Sequence, residues 1–235
     1  MERETKDKTA IVIAAYNEEN AIEKVLDELL KRRYKHLVVV DDASKDGTVK
    51  RVEPYLEKGV MLIQHKANKG QGAALRNGIN YAVKQGYSYV VTFDGDGQHR
   101  VEDLDKMIRP VVQGKADITL GSRFKGKTKM PLGRVITLKI AVVVQWVFYG
   151  ILLTDAHNGF RCMNRTAASR IRITSDRMEH ASEFISEIRR NRLRYKEVPI
   201  IVNYTDETLS KGHGSFKQAV NVFFKMLRLK FKRRK

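Results

Sequence analysis

The chain has 235 residues, of which 42% are hydrophobic and 31% are charged, and its formal net charge at pH 7 is +18. These fractions are typical of a soluble globular protein. The single cysteine, Cys162, excludes an intramolecular disulfide and is interpreted as a packing residue in a reducing compartment. The charged N-terminus lacks the apolar core of a secretory signal, and no uninterrupted run of about eighteen apolar residues predicts a membrane span. The large positive charge indicates an anionic partner: nucleic acid, anionic lipid or a phosphorylated substrate.

Short apolar runs alternate with helical patterns through the first half of the chain. Strands are predicted at 9–15, 36–40, 60–63 and 89–93, and helices at 21–31 and 72–84. Continuous apolar strands separated by helices favour a mostly parallel sheet with helices on both faces. The predicted fold class is therefore α/β, with one domain over residues 1–210 and a basic appendage over residues 211–235.

Two later segments differ from this pattern. Residues 136–153 are strongly apolar but contain Lys139 and Gln145, which predicts a buried or interfacial helix rather than a membrane span. Residues 217–235 combine apolar side chains at helical spacing with many lysines and arginines and no acidic residue. This pattern predicts a basic amphipathic helix suited to an anionic membrane surface. A helix packed on the core with a solvated basic face is the alternative.

Polar residues follow three of the predicted strands where each strand ends. They are Tyr16-Asn17-Glu18, Asp41-Asp42 and Asp94-Gly95-Asp96. If these strands are parallel neighbours, their ends meet at one edge of the sheet, where ligands bind in open α/β folds. Hard divalent cations prefer carboxylate oxygens together with substrate phosphates, so Asp94 and Asp96 are candidates for a clamp on a metal and a diphosphate. An Asp/Gly turn is the alternative for this short segment.

A glycine-rich loop at residues 68–72 precedes the helix at 72–84 and contains Lys69. A lysine near a helix N-terminus suits phosphate binding. The loop lacks the spacing of a P-loop and of a dinucleotide-binding fingerprint, so by itself it is weak evidence.

Six motifs in order carry a resemblance to family-two glycosyltransferases. They are AAYNEE at 14–19, VDDASKDGT at 40–48, NKG at 68–70, DGDGQH at 94–99, GSRF at 121–124 and TDAHNGFR at 154–161. Within that family the chain resembles dolichyl-phosphate mannose and glucose synthases over roughly residues 9–215, and an ordered series is far more specific than any single motif. The resemblance implies the GT-A fold of nucleotide-diphospho-sugar transferases, with the catalytic domain at residues 1–210.

The resemblance also implies roles for individual residues. The residues at the positions of base and ribose contacts are Ala14, Tyr16, Glu18 and either Asp41 or Asp42. The nucleotide-binding set also includes Lys69, Asp94 and Gly95. The positions that hold Mg²⁺ or Mn²⁺ are Asp94, Asp96 and Gln98. Many relatives have proline where this chain has Ala14, a mild change to the backbone that removes no ligand.

Acceptor roles follow from the same resemblance. Arg123 and Arg134 match positions that hold a lipid phosphate, since guanidinium binds phosphate oxygens in bidentate fashion. Asp155 matches a family position often assigned as the base. An acceptor phosphomonoester has a second pKa of about 6 and is already anionic, so a positioning role or a weak base is expected. A capping aspartate before a turn is the alternative.

The glycine-flanked segment 210–215 carries Lys211 and His213, which are predicted to close over the diphosphate. This segment departs from the Arg-x-x-Gly-x-Ser-Lys pattern of mannosyl relatives, so it does not define the donor. A solvated loop histidine is the alternative for His213.

The predicted function is inverting, metal-dependent transfer of a hexose from GDP-mannose or UDP-glucose to dolichyl or polyprenyl phosphate. The enzyme is expected to be peripheral, at the cytoplasmic face of the membrane, through its C-terminal helix. A transferase acting on a soluble or growing glycan is the first alternative. A nucleic-acid-binding protein is a distant one, because it leaves the carboxylates at the strand ends unexplained and no matching motif is present.

Overall fold

The computed structural model describes residues 1–155 and 158–204. Its strands are β1 (Thr9–Ala15), β2 (His36–Asp41), β3 (Met61–Gln64), β4 (Tyr89–Asp94), β5 (Ile118–Ser122), β6 (Arg161–Asn164) and β7 (Tyr195–Pro199). Its helices are α1 (Arg3–Asp7), α2 (Ile22–Lys31), α3 (Thr48–Val52), α4 (Gln71–Lys84), α5 (Leu104–Val112), α6 (Leu132–Tyr149), α7 (Arg165–Arg170) and α8 (His180–Arg190). The predicted amphipathic tail, Lys211 and His213 lie outside the described residues.

The described strands form one seven-stranded sheet in the order β3-β2-β1-β4-β6-β5-β7. Strands β1, β2, β3 and β4 are parallel neighbours, and β5 is parallel to β7. Strand β6 runs antiparallel to both β4 and β5. The prediction of a mostly parallel α/β sheet is therefore confirmed, and the carboxyl ends of β1, β2 and β4 meet at one edge.

Helices cover both faces of this sheet because its strands are apolar on both sides. Successive side chains of a strand point to opposite faces. Ile13 and Phe93 belong to a buried cluster with residues of α2 and α5, whereas Val12 and Val40 belong to a second cluster with residues of α4 and α8. Cys162 is fully buried in the first cluster, as its predicted packing role requires.

Helix α4 lies very close to the sheet at Gly78. A Cβ atom added at this glycine would lie 2.2 Å from Val12 Cγ1 and 3.1 Å from Val40 Cγ2. Gly78 therefore sets the distance between α4 and strands β1 and β2, and through that distance the position of the α4 N-terminus.

We expect Gly78→Ala to lower the free energy of unfolding by about 1–3 kcal/mol, because overpacking a close-packed core displaces its neighbours. This loss should exceed the helix-propensity gain of about 1 kcal/mol. Urea denaturation measures the effect. Gly133→Ala is the matched control, because Gly133 is also helical but an added Cβ meets no described heavy atom within 4 Å. This variant should keep its helix-propensity gain and be more stable than the wild type by up to about 1 kcal/mol. Equal stability of the two variants would contradict the packing argument.

The apolar segment predicted at 136–153 is helical, but its helix α6 begins earlier and ends at Tyr149. The helix stops because Gly150 adopts a left-handed conformation with φ of 64°, and the Arg189 guanidinium of α8 donates a hydrogen bond to the Tyr149 carbonyl. One side of α6, with Leu138 and Val142, is buried. Its other side exposes large apolar residues, including Leu132 (81%) and Val147 (62%). Among the described helices, α6 is long and apolar enough to cross a membrane by length and composition alone.

Candidate active site

A cavity of about 580 Å³ opens at the edge of the sheet where β1 and β4 end. Ten predicted residues line it: Ala14, Tyr16, Glu18, Asp42, Asp94, Gly95, Asp96, Gln98, Arg123 and Arg134. Of the predicted residues within the described ranges, Asp41, Lys69 and Asp155 do not line it. The parallel order of the strands therefore brings most of the predicted site together, as the carboxyl ends of an open α/β sheet do in general.

The loops after β1 and β2 are joined into one wall of the cavity. The Asn17 amide donates to Ser44 Oγ (2.9 Å), and its side-chain oxygen accepts from the Lys45 amide (2.8 Å). The Glu18 amide donates to Thr48 Oγ1 (2.7 Å). These hydrogen bonds hold the segment that carries Tyr16 and Glu18 at the cavity rim.

The two aspartates at the end of β2 have different surroundings. Asp42 accepts hydrogen bonds from the amides of Lys69 (2.9 Å) and Gly70 (2.6 Å) and contacts His65 Nδ1 (2.7 Å), so it shapes the glycine-rich loop. The Asp41 Oδ2 atom accepts from the Ser44 amide, whereas its buried Oδ1 has no hydrogen-bond partner within the described ranges. The Lys69 side chain itself is exposed.

Asp94 and Asp96 also differ, although the sequence presents them as a pair. Asp94 accepts from Gln71 Nε2 (2.9 Å) and contacts His99 Nε2 (2.8 Å). Burial opposes ionisation of Asp94, but His99, together with the more distant positive charge of Arg161, holds its pKa below the usual value. Asp96 accepts from the Gln98 amide (3.0 Å) and from Gln98 Nε2 (2.7 Å). Asp94 is thus held by the half-buried Gln71 and the buried His99, and Asp96 belongs to a local turn at the cavity.

This group of residues suits a hard divalent cation. Asp94, Asp96 and Gln98 offer carboxylate and amide oxygens, which Mg²⁺ and Mn²⁺ accept while keeping water and phosphate as further ligands. No cluster of three or more His, Cys, Asp or Glu side chains that could hold a metal occurs in the described part of the chain. A cation there would therefore depend on oxygens of a bound diphosphate as well as on the protein.

Arg123 and Asp155 form a buried, bidentate ion pair at the cavity wall. Arg123 Nε and Nη2 donate to the two Asp155 carboxylate oxygens, each at 2.6 Å, and the Arg123 amide adds a third bond at 3.0 Å. Burial works against the charge of Arg123, but Asp155 raises the pKa of the guanidinium above its ordinary value. Asp155 itself is fixed by Glu197, which accepts from its amide. The carboxylate is therefore committed to holding Arg123.

Tyr204 connects the two predicted acceptor arginines and was not predicted. Its hydroxyl accepts from Arg123 Nη1 (3.2 Å), and the Arg134 guanidinium lies 4.5 Å from the centre of its ring. No motif marks Tyr204 in the sequence, because its partners come from two segments far away in the chain.

Several further residues at the cavity were not predicted as site residues, among them Gln71, His99, Arg161 and His180. Gln71, His99 and Arg161 lie in sequence segments that were already singled out, so their position in those segments could have indicated a site role. His180 lies in no such segment. Burial lowers the pKa of Arg161 to about 10. Burial, followed by the nearby Arg161 charge, lowers the pKa of His180 to about 4, so its imidazole is neutral near pH 7.

Comparisons with known proteins agree with this geometry. The family model for glycosyl transferase family 2 matches residues 10–172, and the chain belongs to that family of glycosyltransferases. The UDP-N-acetylglucosamine–dolichyl-phosphate N-acetylglucosaminyltransferase of Methanococcus voltae is 30% identical over 94% of this chain and 95% of its own. The polyprenol monophosphomannose synthase of Mycolicibacterium smegmatis is 28% identical over 88% of this chain and 82% of its own.

A solved structure confirms the GT-A fold. Glucosyl-3-phosphoglycerate synthase from Mycobacterium tuberculosis, in complex with phosphoglyceric acid, superposes with a TM-score of 0.67 at 18% identity. The superposition covers 88% of this chain and 77% of that one. At this identity the similarity concerns the fold alone.

Proposed function

We propose that this chain is an inverting, metal-dependent transferase that moves a sugar from a nucleotide-diphosphate donor to a polyprenyl phosphate. The observation that carries the proposal is one cavity with carboxylates, Asp94 and Asp96, on one wall and the anchored cation Arg123, with Arg134, on another. Carboxylates with a cation suit the leaving diphosphate, and arginines suit an acceptor that is itself a phosphate. Two relatives are named for dolichyl phosphate and for polyprenol, and these names support this acceptor class.

The chemistry assigned to the protein's own residues is mainly positioning. Tyr16 and Glu18 are assigned to the nucleoside, together with either Asp41, whose Oδ1 has no hydrogen-bond partner among the described residues, or the cavity-lining Asp42. Asp94, Asp96 and Gln98 are assigned to a divalent cation. When bound, Mg²⁺ or Mn²⁺ supplies Lewis-acid stabilisation of the charge that develops on the leaving diphosphate.

Asp155 is assigned to positioning, because an anionic acceptor needs little help from a base. A phosphomonoester has a second pKa of about 6 and is already largely ionised near neutral pH. The Asp155 carboxylate instead keeps Arg123 in place for the acceptor phosphate. Lys211, His213 and the division at residue 210 stay predictions, since they fall on or next to residues outside the described ranges.

Helix α6 supports the membrane side of the proposal. Its exposed apolar side, with Ile136, Val143 and Val147, starts close to the cavity-lining Arg134 in the chain. An apolar helix face of this kind suits the boundary between headgroups and acyl chains, where a polyprenyl phosphate presents its headgroup. The predicted basic tail would add attraction to anionic lipid, and the enzyme would act as a peripheral protein at the cytoplasmic face.

The donor is proposed from the same comparisons. GDP-mannose and UDP-glucose follow from the resemblance of the motifs, and the relative named for UDP-N-acetylglucosamine adds a third candidate. The described contacts favour none of these sugars over the others.

A transfer assay with defined substrates tests the proposed function. Purified protein with Mn²⁺ is incubated with each of the three donors and with either a short-chain polyprenyl phosphate or free sugars, and glycolipid and glycan products are separated by chromatography. We expect product from one donor with polyprenyl phosphate. The anomeric configuration of the transferred sugar in this product should be the inverse of that in the donor. Product from free sugars at an equal or higher rate would favour the glycan-acting alternative and overturn the assignment of the acceptor.

The membrane role of α6 is tested by the variant Val143→Lys/Val147→Lys in the same assay. Both side chains are exposed, so the fold should tolerate lysine. We expect slower transfer to a long-chain polyprenyl phosphate in vesicles, and unchanged transfer to the soluble short-chain acceptor. An equal loss of transfer rate with both acceptors, or no loss with either, would contradict a membrane role for this helix face.

A further inference from the structure

Arg161 is a buried cation at the cavity that none of the proposed steps uses. It begins β6 opposite Thr92 of β4, and residues paired in this way share one face of an antiparallel ladder. Asp94, two residues further along β4, lies on that face as well. The side chain of Arg161 is only 2% exposed, yet it lines the cavity.

The guanidinium of Arg161 has an unused hydrogen-bond donor. Its Nη1 atom is buried and has no hydrogen-bond partner among the residues that the structure describes. Its flat face lies 4.3 Å from the ring centre of Phe184, while the nearby Asp94 uses its oxygens for Gln71 and His99 instead. Buried N–H groups are nearly always paired in native proteins, and a group that enters the cavity with an acceptor oxygen would pair this one.

The groups around this donor within the described residues are Asp94, which is already hydrogen-bonded, and the neutral His180. The His180 imidazole is held neutral by burial and directs Nδ1 at the Arg177 carbonyl (2.8 Å). Helices α4 and α8 both begin here: Gln71 and His180 line the cavity, and a Cβ added at Gly72 would lie 2.9 Å from His180 Cβ. The N-terminal, positive ends of α4 and α8 therefore both lie at the cavity that Arg161 lines.

We propose that Arg161, with the N-termini of α4 and α8, forms a subsite for an anionic oxygen of the donor. Two parts of a nucleotide sugar supply such an oxygen: the phosphoryl group next to the sugar, or a carboxylate on a transferred hexuronic acid. The subsite lies on the α4 and α8 face of the sheet, whereas the arginines assigned to the acceptor lie by Asp155 and Tyr204. This inference rests on the proposed function in taking the cavity as a nucleotide-sugar site.

Calorimetric binding to the wild type and to Arg161→Met tests the subsite. The probes, with Mn²⁺, are UDP, GDP, uridine, guanosine, UDP-glucose and UDP-glucuronate. For a phosphoryl contact, the variant should bind the preferred nucleoside diphosphate about 10- to 100-fold more weakly, with its nucleoside unaffected, since a charged hydrogen bond is lost. For a carboxylate contact, the loss should be confined to UDP-glucuronate. Unchanged binding of UDP, GDP and UDP-glucuronate would overturn the inference.

Thermal unfolding without ligand separates binding from a structural role. A buried cation without a hydrogen-bonded partner is unfavourable for the fold, so Arg161→Met should melt at or above the wild-type temperature. A lower melting temperature with unchanged nucleotide binding would mean that Arg161 only balances the charge of Asp94, and would overturn the subsite.

If Arg161→Met does not fold, Arg161→Lys takes its place, and undiminished affinity in that variant and in Arg161→Gln would count against the proposal. A wild type that binds neither UDP nor GDP would refute the proposed function instead.

Discussion

Replacing Asp96 with asparagine is expected to lower kcat/KM for sugar transfer by about 1000-fold while the fold stays intact. Asparagine has the same shape, and its Oδ1 can still accept from the Gln98 amide, while its Nδ2 can donate to Gln98 Oε1 once that side-chain amide turns over. The main loss is therefore one charge at the proposed cation site. Stabilisation of the leaving diphosphate by a bound cation amounts to several kcal/mol, and about 4 kcal/mol corresponds to three decades in rate.

Two measurements distinguish loss of the cation from a general defect. Titration of Mn²⁺ should increase the nucleotide affinity of the wild type and leave that of Asp96→Asn unchanged. Asp7→Asn is the matched control, because Asp7 is exposed on α1 and its only described ion pair, with Arg3, is long at 3.9 Å. If Asp96→Asn keeps both the rate and the Mn²⁺ effect, the assignment of Asp96 is wrong.

Asp155→Asn is expected to lower the free energy of unfolding by about 3–5 kcal/mol. The Arg123–Asp155 pair is almost completely buried, and removing one partner leaves the other charge without compensation inside the protein. Urea denaturation measures the loss. Asp117→Asn is the control: Asp117 also binds an arginine in bidentate fashion, but Arg194 is 63% exposed, so the loss should be about 1 kcal/mol or less.

A double variant separates the fold from the chemistry at the same pair. Arg123→Met/Asp155→Leu removes both charges and should recover most of the stability lost in Asp155→Asn, because buried pairs are often replaceable by apolar residues. Transfer to polyprenyl phosphate should stay abolished, since the guanidinium assigned to the acceptor is gone. A stable double variant that still transfers sugar to the lipid phosphate would refute the role assigned to Arg123.

Much of the site could be predicted because its residues follow strands. Apolar runs predicted β1, β2 and β4, and parallel pairing of neighbours then brings Tyr16, Asp42 and Asp94 to one edge without any knowledge of side-chain contacts. The motif series placed Arg123 at the same cavity. By contrast, His180 reaches the cavity, and Tyr204 reaches two arginines that line it, through the return of the chain after β6 and β7, which no local pattern encodes.

The partners of the charged side chains could not be predicted from the local sequence pattern either. The sequence presents Asp94 and Asp96 as equivalent, yet one is held by Gln71 and His99 and the other by its own turn. Likewise, the sequence left a positioning role, a weak base and a capping aspartate open for Asp155, and only the structure pairs it with Arg123, 32 residues away. Partners of this kind depend on the tertiary structure because they join segments that are distant in sequence.

The amino-acid sequence by itself determined the class of this protein: an α/β glycosyltransferase with two carboxylates at the carboxyl end of β4. Local periodicity and motif order suffice for that, because strand ends and loops are read from neighbouring residues. Only the tertiary structure decided which carboxylate is committed to its neighbours, that Asp155 anchors Arg123, and that Arg161 has a buried donor with no partner among the described residues. Burial and pairing are properties of the folded environment, so they become defined only when distant segments meet.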